Sequence, residues 1–493
     1  MIHDEAALAG VVGASTLTAF SVSFPHEVDQ DLATVYGDPH WTNIKRALAR
    51  PPACTTVRVN TLKISRDEAL RALEPHLEGF NAQLVKLDAS RQPIQAFPHA
   101  SLPDVVMIPS SRSEQDQVEF NPEHKSIVVD RLCGEAVLRG SDIFARGIMS
   151  ASSGINADDT VNVFVDLDHK HTRGSEFASH DGRKLLIARG VTKMARTEIF
   201  RAANGLAVTH LVRVCPDAPP MNGVLPGAIY VQNLPSAVVA HVLDPQESDV
   251  ILDMCAAPGG KTSHIATLMQ NRGIVVACDR SKRKALALRR LCEELELTCV
   301  VPLMMDSAHA VVPKSQVDTA LALAQGNEYT SVSQVLYRAR KTNRTRTHLL
   351  QEQGFFPDTF DRILLDPPCS ALGLRPRLRH TETVETLAQY TKMQRNFLWV
   401  AAVLLKPGGT LVYSTCTIHP DENERMVHHV LRTYPMKLVS QGPGHLGDRG
   451  LPGQGLTEHE ASLVQRFDAA NPHLDTMGFF CAKFVKTGRI RPK

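Results

Sequence analysis

The sequence predicts an α/β protein with a doubly wound parallel sheet and a smaller β-rich module ahead of it. Between residues 250 and 415, short β-like runs alternate with helical stretches, which is the pattern of a parallel sheet covered by helices. Between 124 and 204, β-like runs are separated by Gly and charged turns. Hydrophobic residues make up 43% and charged residues 22% of the chain, which excludes a disordered, collagen-like or coiled-coil protein.

The first 123 residues predict a mixed α+β region. Residues 55–60 and 102–108 have the β-branched composition of strands, and 67–77 have the pattern of a short helix. We expect residues 205–235 to complete this region after the β-rich module of 124–204.

The second half of the β-rich module is basic. Between Lys170 and Arg201 there are eight Lys or Arg residues and three Asp or Glu residues, a local charge of +5 in a chain of net charge +2. The composition of the whole chain therefore does not indicate a nucleic-acid binder, and any RNA-binding surface has to be local. An RNA contact and a plain solvated face both fit this segment.

The second half of the chain predicts the parallel sheet. Its strands are expected at 250–253, 274–279, 299–305, 360–366 and 410–415, and its helices at 262–269, 281–297 and 384–405. Residues 308–356 lack a clean β pattern and read as an insertion in a surface loop. Within it, 338–346 carries five cations and no acid, so this stretch is either a basic arm or a soluble spacer.

A glycine-rich loop, Asp253–Thr262 (DMCAAPGGKT), joins the first strand of this sheet to the following helix. A nucleotide P-loop would need its first glycine at Cys255, and the G-x-G-x-x-G fingerprint is absent. Asp279 ends the next strand, where an acid can accept both hydroxyls of a ribose, and Asp306 ends the third strand, where an adenine edge can be read. An acid that can bind a ribose, combined with a loop that lacks a phosphate-binding motif, fits S-adenosylmethionine.

Cysteines follow two further strands, Cys369 after Asp366-Pro-Pro and Cys416 within Ser-Thr-Cys-Thr. Ligands bind at the carboxyl ends of strands in open α/β sheets. Methylation of pyrimidine C5 explains such a pair, because a thiolate that adds to C6 makes C5 nucleophilic. Asp366 is placed to assist at N3, and the cation of Lys261 would favour the thiolate. This chemistry alone does not choose between the two cysteines.

Together these motifs resemble the Nol1/Nop2/Sun RNA cytosine-5 methyltransferases. The resemblance covers nearly the whole chain and includes 58–60, 232–236, 253–262, 366–370, 414–417 and 478–484. It implies a class I (Rossmann-like) methyltransferase domain over 236–493 and an inserted PUA domain, a small RNA-binding β-barrel, over 124–204. Residues 133–140 and 148–152 are similar to the PUA-containing branch, whose members methylate tRNA near the 3′ end of the acceptor stem.

The resemblance also implies the site residues. Cys416 would be the nucleophile and Cys369 would assist proton loss and release, with Asp366 and Lys261 completing the catalytic set. S-adenosylmethionine would be bound by Cys255, Ala256, Ala257, Pro258, Gly259, Gly260, Lys261, Asp279, Lys284, Asp306 and Asp366. The partner would be tRNA, through its acceptor stem and CCA end, with other RNA possible. Arg139 and Arg173 are the candidates for holding the RNA tail.

The sequence departs from the family pattern at two positions beside Cys369. Pro367 replaces the usual Ala, and Ala371 replaces the usual Gly, so we expect a narrower backbone approach there. An exocyclic-amine methyltransferase is disfavoured because position 369 is Cys rather than aromatic. Two alternatives remain. The chain could be an RNA-binding adaptor that keeps the fold without catalysis, or its PUA-like and basic segments could bind protein instead of RNA.

Cysteine usage and the amino terminus bear on localisation. The ten cysteines include no C-x-x-C pair, which disfavours a zinc ribbon or a thioredoxin-type redox site, and no metal is expected. Acidic residues precede the first apolar stretch, where a secretory signal needs basic ones, and no run is long enough to span a membrane. We expect a cytoplasmic, monomeric protein without membrane contact.

Overall fold

A computed structural model describes residues 11–12, 20–87, 89, 91–111, 118–179, 182–312 and 354–490. The basic stretch 338–346 and most of the insertion predicted over 308–356 lie outside these residues. The described chain forms an α+β amino-terminal region, a β-rich unit and an α/β domain. The predicted fold class is therefore confirmed.

The amino-terminal region packs helices beside an antiparallel sheet. Its elements are β1 (Val11–Val12), α1 (His26–Tyr36), α2 (Asp38–Leu48), β2 (Cys54–Val59), α3 (Arg66–Leu87), β3 (Phe97–Pro98) and β4 (Val105–Pro109). Helix α3 extends beyond the predicted 67–77 because its buried stripe of Leu73 and Leu77 continues to Leu84. Helices α1 and α2 were not predicted from the sequence.

The β-rich unit follows and keeps its own apolar core. Its elements are β5 (Lys125–Val129), α4 (Arg131–Leu138), β6 (Ile143–Phe144), β7 (Ile148–Ala151), β8 (Thr160–Asp166), β9 (Ser175–Glu176), β10 (Lys184–Thr192), α5 (Arg196–Arg201) and β11 (Leu206–Arg213). The strand order is β6-β11-β10-β8-β5-β7-β9, with β1 beside β10. Strand β11 carries this sheet past residue 204. The next strand, β12 (Ile229–Val231), returns to the amino-terminal sheet, whose order is β12-β2-β4-β3.

The α/β domain follows β12. Its elements are α6 (Leu234–Leu243), β13 (Val250–Asp253), α7 (Gly260–Leu268), β14 (Ile274–Asp279), α8 (Lys282–Glu294), β15 (Val300–Met304), β16 (Phe360–Leu365), α9 (Val384–Leu404), β17 (Leu405–Thr415), α10 (Glu424–Thr433), β18 (Met436–Leu438), α11 (Glu458–Leu463), β19 (Val464–Phe467) and β20 (Phe479–Lys486). Helices on both faces bury the sheet, because Val275 and Ala277 belong to one apolar cluster and Val276 to the other.

The strand order of this sheet is β15-β14-β13-β16-β17-β20-β18, with β19 also paired to β20. Strands β13 to β17 are parallel, and β20 runs antiparallel to β17. The chain order reverses between β13 and β16, and in open α/β sheets a crevice at this position binds the ligand.

A buried polar cluster joins the amino-terminal region to the α/β domain. Asp104, which is 2% exposed, accepts hydrogen bonds from Nε2 of His241 on α6 (2.7 Å) and Nε2 of His264 on α7 (2.6 Å). Burial lowers the pKa of His264 to about 4, so this side chain is neutral at physiological pH. The guanidinium of Arg58 on β2 donates to Ser263 Oγ of the same helix (2.8 Å). These contacts hold the amino-terminal sheet, which includes β12, against helices α6 and α7 of the α/β domain. None of the described helices is long and apolar enough to cross a bilayer.

Candidate active site

The glycine-rich loop lies at the switch point of the sheet, between β13 and α7. Gly259 has φ +112°, a backbone conformation that glycine adopts at low cost. A Cβ there would come within 2.6 Å of Leu288 on α8, and a Cβ on Gly260 would come within 3.1 Å of the Tyr230 ring. Gly259 therefore allows α8 to pack close to the loop. Gly260 allows the Tyr230 ring to lie against the loop at the wall of the adjoining cavity.

A cavity of about 210 Å³ opens in front of this loop. Its predicted lining residues are Cys255, Ala256, Ala257, Pro258, Gly260, Lys261 and Asp366. Six more lining positions were not predicted from the sequence, namely 230–233, Ser236 and Asp253 of the loop itself. The Gln232–Ser236 motif was the available signal, but its place in the site depends on β12 reaching the sheet of the amino-terminal region.

Asp253 provides the test of whether this cavity suits S-adenosylmethionine. Its Oδ2 accepts from the Thr262 hydroxyl (2.7 Å), while its Oδ1 is buried and has no hydrogen-bond partner among the described residues. Burial raises the pKa of Asp253 to about 7. An unpaired buried acceptor at a cavity wall fits a ligand that brings hydrogen-bond donors or positive charge, and S-adenosylmethionine carries both an ammonium and a sulfonium.

The remaining predicted cofactor residues lie at the same edge of the sheet but outside the cavity wall as described, and they are Gly259, Asp279, Lys284 and Asp306. Asp279 ends β14 and accepts from the Ser281 backbone N–H (2.8 Å). Asp306 follows β15 and accepts from the Ala308 N–H (3.0 Å). Lys284 lies exposed in the first turn of α8. Their contact with the cofactor stays a prediction.

Asp366 is fixed on both carboxylate oxygens. Lys261 Nζ donates to Oδ2 (2.7 Å), and the Ser414 hydroxyl donates to Oδ1 (2.8 Å). Although burial lowers the pKa of Lys261, the charges of Asp366 and Cys416 raise it above its usual range. Lys261 is therefore a protonated ammonium group near both Asp366 and Cys416.

The structure brings the two predicted cysteines together at the ends of β16 and β17. Their Sγ atoms are 3.3 Å apart, and both side chains are half-buried. The hydrogen bond to Cys416 and then burial raise the pKa of Cys369 well above its ordinary value. Cys369 is thus held as a thiol that can donate to Cys416, whereas Cys416 has the ammonium of Lys261 nearby. The charge of Lys261 therefore acts on Cys416 of the pair.

The two predicted RNA-tail residues lie in the β-rich unit. Arg139 is exposed at the end of α4. Arg173 directs its guanidinium to backbone carbonyls of its own unit, including Ala145 (2.7 Å) and Ile199 (2.9 Å). These internal contacts stabilise the turn between β6 and β7, and RNA contact at either arginine stays a prediction.

Comparison with known proteins identifies a methyltransferase family, a PUA domain and two similar relatives. Residues 240–325 and 334–485 match the family described as 16S rRNA methyltransferase RsmB/F, and residues 125–210 match the PUA domain. The tRNA (cytosine(72)-C(5))-methyltransferase NSUN6 of Mus musculus is 35% identical over 90% of this chain and 90% of its own. The rRNA (cytosine-C(5))-methyltransferase NOP2C of Arabidopsis thaliana is 35% identical over 93% of this chain and 90% of its own.

A solved structure is also similar, that of NSun6 from Pyrococcus horikoshii with SFG, an analogue of S-adenosylmethionine. Its TM-score is 0.71 at 29% identity, and the match covers 94% of this chain and 99% of the other. The strand order and the cavity at the switch point are thus those of an S-adenosylmethionine-dependent methyltransferase that carries a PUA domain. Within that class, the chain belongs to the RNA cytosine-5 methyltransferases of the RsmB/F and NSUN6 type.

This membership confirms the resemblance found in the sequence, the enzymatic activity and the methyl donor. The silent adaptor is accordingly not the preferred interpretation.

Proposed function

We propose that this enzyme methylates C5 of a cytosine near the 3′ end of the tRNA acceptor stem, with Cys416 as the nucleophile. The mouse relative is named for position 72 of tRNA, and it aligns over the β-rich unit as well as the catalytic domain. The observation that carries the assignment of the nucleophile is the asymmetry of the cysteine pair. Cys369 is held as a thiol, while Lys261 places positive charge beside Cys416.

The reaction follows from these positions. Cys416 adds as a thiolate to C6 of the cytosine, which makes C5 nucleophilic. S-adenosylmethionine, when bound, supplies a methyl group on a positively charged sulfur. After C5 has taken up the methyl group, water accepts the C5 proton, and the electrons of the C5–H bond restore the ring double bond. The C6–S bond breaks in the same step and its electron pair returns to Cys416 as the thiolate. Cys369 lies 3.3 Å from the sulfur of that bond and assists this release.

Asp366 and Lys261 complete the catalytic set in this proposal. Asp366 lines the cavity, and its orientation is fixed by Lys261 and Ser414. We assign it to the N3 edge of the base, where the carboxylate accepts from the exocyclic amine and from N3 once that nitrogen is protonated, which assists the addition to C6. Lys261 keeps Asp366 in place and favours negative charge on Cys416.

The PUA unit is proposed to hold the unpaired CCA tail, with Arg139 and Arg173 as contact residues. A target at the end of a stem costs less to expose than one inside a duplex. The low number of cysteines, ten in 493 residues, supports a reducing compartment such as the cytoplasm. Both the PUA unit and the catalytic domain lie on one chain, which supports action as a monomer.

The test is transfer of a labelled methyl group from S-adenosylmethionine to total tRNA by the wild type, Cys416→Ser and Cys369→Ala. We expect 5-methylcytosine with the wild type and none with Cys416→Ser. Cys369→Ala should accumulate a covalent protein–RNA complex that survives a denaturing gel. If Cys416→Ser accumulates the complex instead, the two roles are exchanged.

A second candidate substrate is ribosomal RNA, because the Arabidopsis relative carries that name at the same identity. Parallel reactions with purified tRNA and purified rRNA separate the two candidates. Label that enters rRNA alone would contradict the tRNA proposal while leaving the reaction type intact.

A further inference from the structure

A buried carboxyl group outside the predicted site contacts the loop that carries Cys369. Glu422 lies in a short 3₁₀ turn, Pro420–Glu422, between β17 and α10, and it is 0% exposed. Its Oε2 accepts from the Ser370 backbone N–H (3.1 Å) and from Gln394 Nε2 (2.8 Å), and its Oε1 accepts from the Ser370 hydroxyl. One carboxylate therefore holds the residue next to Cys369 by both its backbone and its side chain.

The same serine connects to the second cysteine loop. The hydroxyl groups of Ser370 and Thr417 are 2.7 Å apart. Because the Ser370 hydroxyl donates to Glu422, the Thr417 hydroxyl is the donor to Ser370. Ser370 follows Cys369 and Thr417 follows Cys416, so a continuous chain of hydrogen bonds runs from one cysteine loop through the other to the buried acid.

Neighbouring residues fix the rest of the Cys416 loop. Asn423 Nδ2 donates to the Thr417 carbonyl (3.0 Å), and the Thr415 hydroxyl donates to Asn423 Oδ1 (2.6 Å). Cys416 is thus bracketed on both sides by one asparagine. The two loops are joined by the Ser370–Thr417 hydroxyl contact and by the Gly373 backbone N–H, which donates to the Cys416 carbonyl (3.0 Å). Glu422 anchors the Ser370 end of the side-chain link.

We propose that Glu422 is a positioning residue that sets the separation of the two catalytic sulfur atoms through Ser370 and Thr417. The inference rests on the proposed roles of Cys416 and Cys369. Release of the product requires Cys369 to lie at a defined distance from the C6–S bond, and a shift of about 1 Å in such a group can cost about 100-fold in rate. Glu422 acts on the loops and is not among the residues that line the cavity as described.

Two substitutions interrupt the network without removing volume. Glu422→Met keeps the length of the side chain but removes both acceptor oxygens, so the contacts of Glu422 with Ser370 and Gln394 are all lost. Thr417→Val removes the hydroxyl at nearly constant shape, and Thr417→Ser keeps the hydroxyl and serves as its matched control. Glu424→Gln is the control for a buried acid, because Glu424 is 0% exposed and pairs with Arg466, whose guanidinium contacts the Ile418 carbonyl but neither Ser370 nor Thr417.

The experiment measures multiple-turnover methylation of tRNA, the KM for S-adenosylmethionine and the fraction of protein trapped on RNA in a denaturing gel. For Glu422→Met and Thr417→Val we expect turnover to fall by about 100-fold, with the trapped complex accumulating and the KM for S-adenosylmethionine unchanged. Thr417→Ser should retain turnover within a few-fold of the wild type. Glu424→Gln should lower the thermal unfolding midpoint without accumulating the complex.

The proposal is overturned if Glu422→Met and Thr417→Val turn over normally. It is also overturned if they lose turnover without trapping RNA, since Glu422 would then support packing or adduct formation rather than release. Failure of the proposed function has a different signature, because Cys416→Ser would then still label RNA while Glu422→Met could not trap a Cys416 adduct.

Discussion

Asp253 combines a raised pKa with an unpaired oxygen, and this predicts pH-dependent cofactor binding. Burial raises the pKa of this carboxyl to about 7, so Asp253 is ionised above that pH and neutral below it. The positively charged ligand favours the ionised form. Affinity for S-adenosylmethionine should therefore weaken by about 10-fold when the pH falls from 8 to 6.

Calorimetric titration of the free enzyme with S-adenosylmethionine at both pH values measures this change. Asp253→Asn keeps an acceptor for Thr262 but cannot ionise. The variant should bind more weakly than the wild type at pH 8 and about equally at pH 6. An identical pH dependence in the two proteins would assign the effect to another group.

At the scale of elements, the loop after β16 departs from the family pattern in a measurable way. Ala371 has φ +55°, in the left-handed region where an L-residue costs about 1–2 kcal/mol relative to glycine. The usual glycine at this position avoids that cost. We expect Ala371→Gly to raise the stability of the fold by up to about 1 kcal/mol, since the added freedom of the unfolded chain offsets part of the gain.

The matched control is Ala388→Gly, at an exposed position inside helix α9. The same change of residue should there lower stability by about 1 kcal/mol. Thermal unfolding by calorimetry compares the two variants. A lower midpoint for Ala371→Gly would show that its Cβ contributes packing that outweighs the backbone strain.

Elements that form from local patterns were predicted well, and those that depend on distant contacts were not. Strands 250–253 and 274–279 have the predicted bounds, because each is a short apolar run with a polar residue at its end. Helices α1 and α2 were missed. Leu32 of α1 and Trp41 of α2 belong to one apolar cluster with Leu372 and Ile418 of the catalytic domain, and no local periodicity reveals such contacts.

The same distinction applies to the site. Cys369 and Cys416 were identified because they follow strands whose carboxyl ends meet at one edge of the sheet. Tyr230 was missed because it reaches the cavity from a strand that belongs to the amino-terminal sheet. Glu422 was missed because an acid within Pro-Asp-Glu-Asn-Glu has the composition of an exposed turn, and its burial depends on contacts with Ser370 and Gln394.

At the scale of the whole molecule, one buried acid fastens the PUA unit to the catalytic domain. Glu135 on α4 is 1% exposed and accepts from Arg131 in its own unit. It also accepts from Arg377 (3.0 Å) and from the backbone N–H of Leu378 (3.1 Å), both in the catalytic domain. The Leu378 side chain packs into the apolar core of the PUA unit. Residues 377 and 378 belong to the loop that begins at Cys369, so the PUA unit is docked directly on the active-site loop.

This docking predicts that Glu135 governs how well RNA is presented to the cysteines. Glu135→Gln removes the charge that holds Arg377 and should raise the KM for tRNA by about 10-fold, which corresponds to the loss of about 1.4 kcal/mol from one buried hydrogen bond to a charged group. The KM for S-adenosylmethionine should stay unchanged, because the cavity is formed by other elements. Steady-state kinetics with each substrate varied in turn gives both values.

Asp158→Asn is the matched control for a lost carboxylate in the same unit, since Asp158 is exposed and pairs only weakly with exposed Lys193 (3.4 Å). It should leave both KM values unchanged. If Glu135→Gln raised the KM for S-adenosylmethionine as much as that for tRNA, the contact would act on the catalytic domain itself. A selective change for tRNA would instead show that the rigid docking of the PUA unit, rather than its surface charge alone, delivers the RNA end to the cysteine pair.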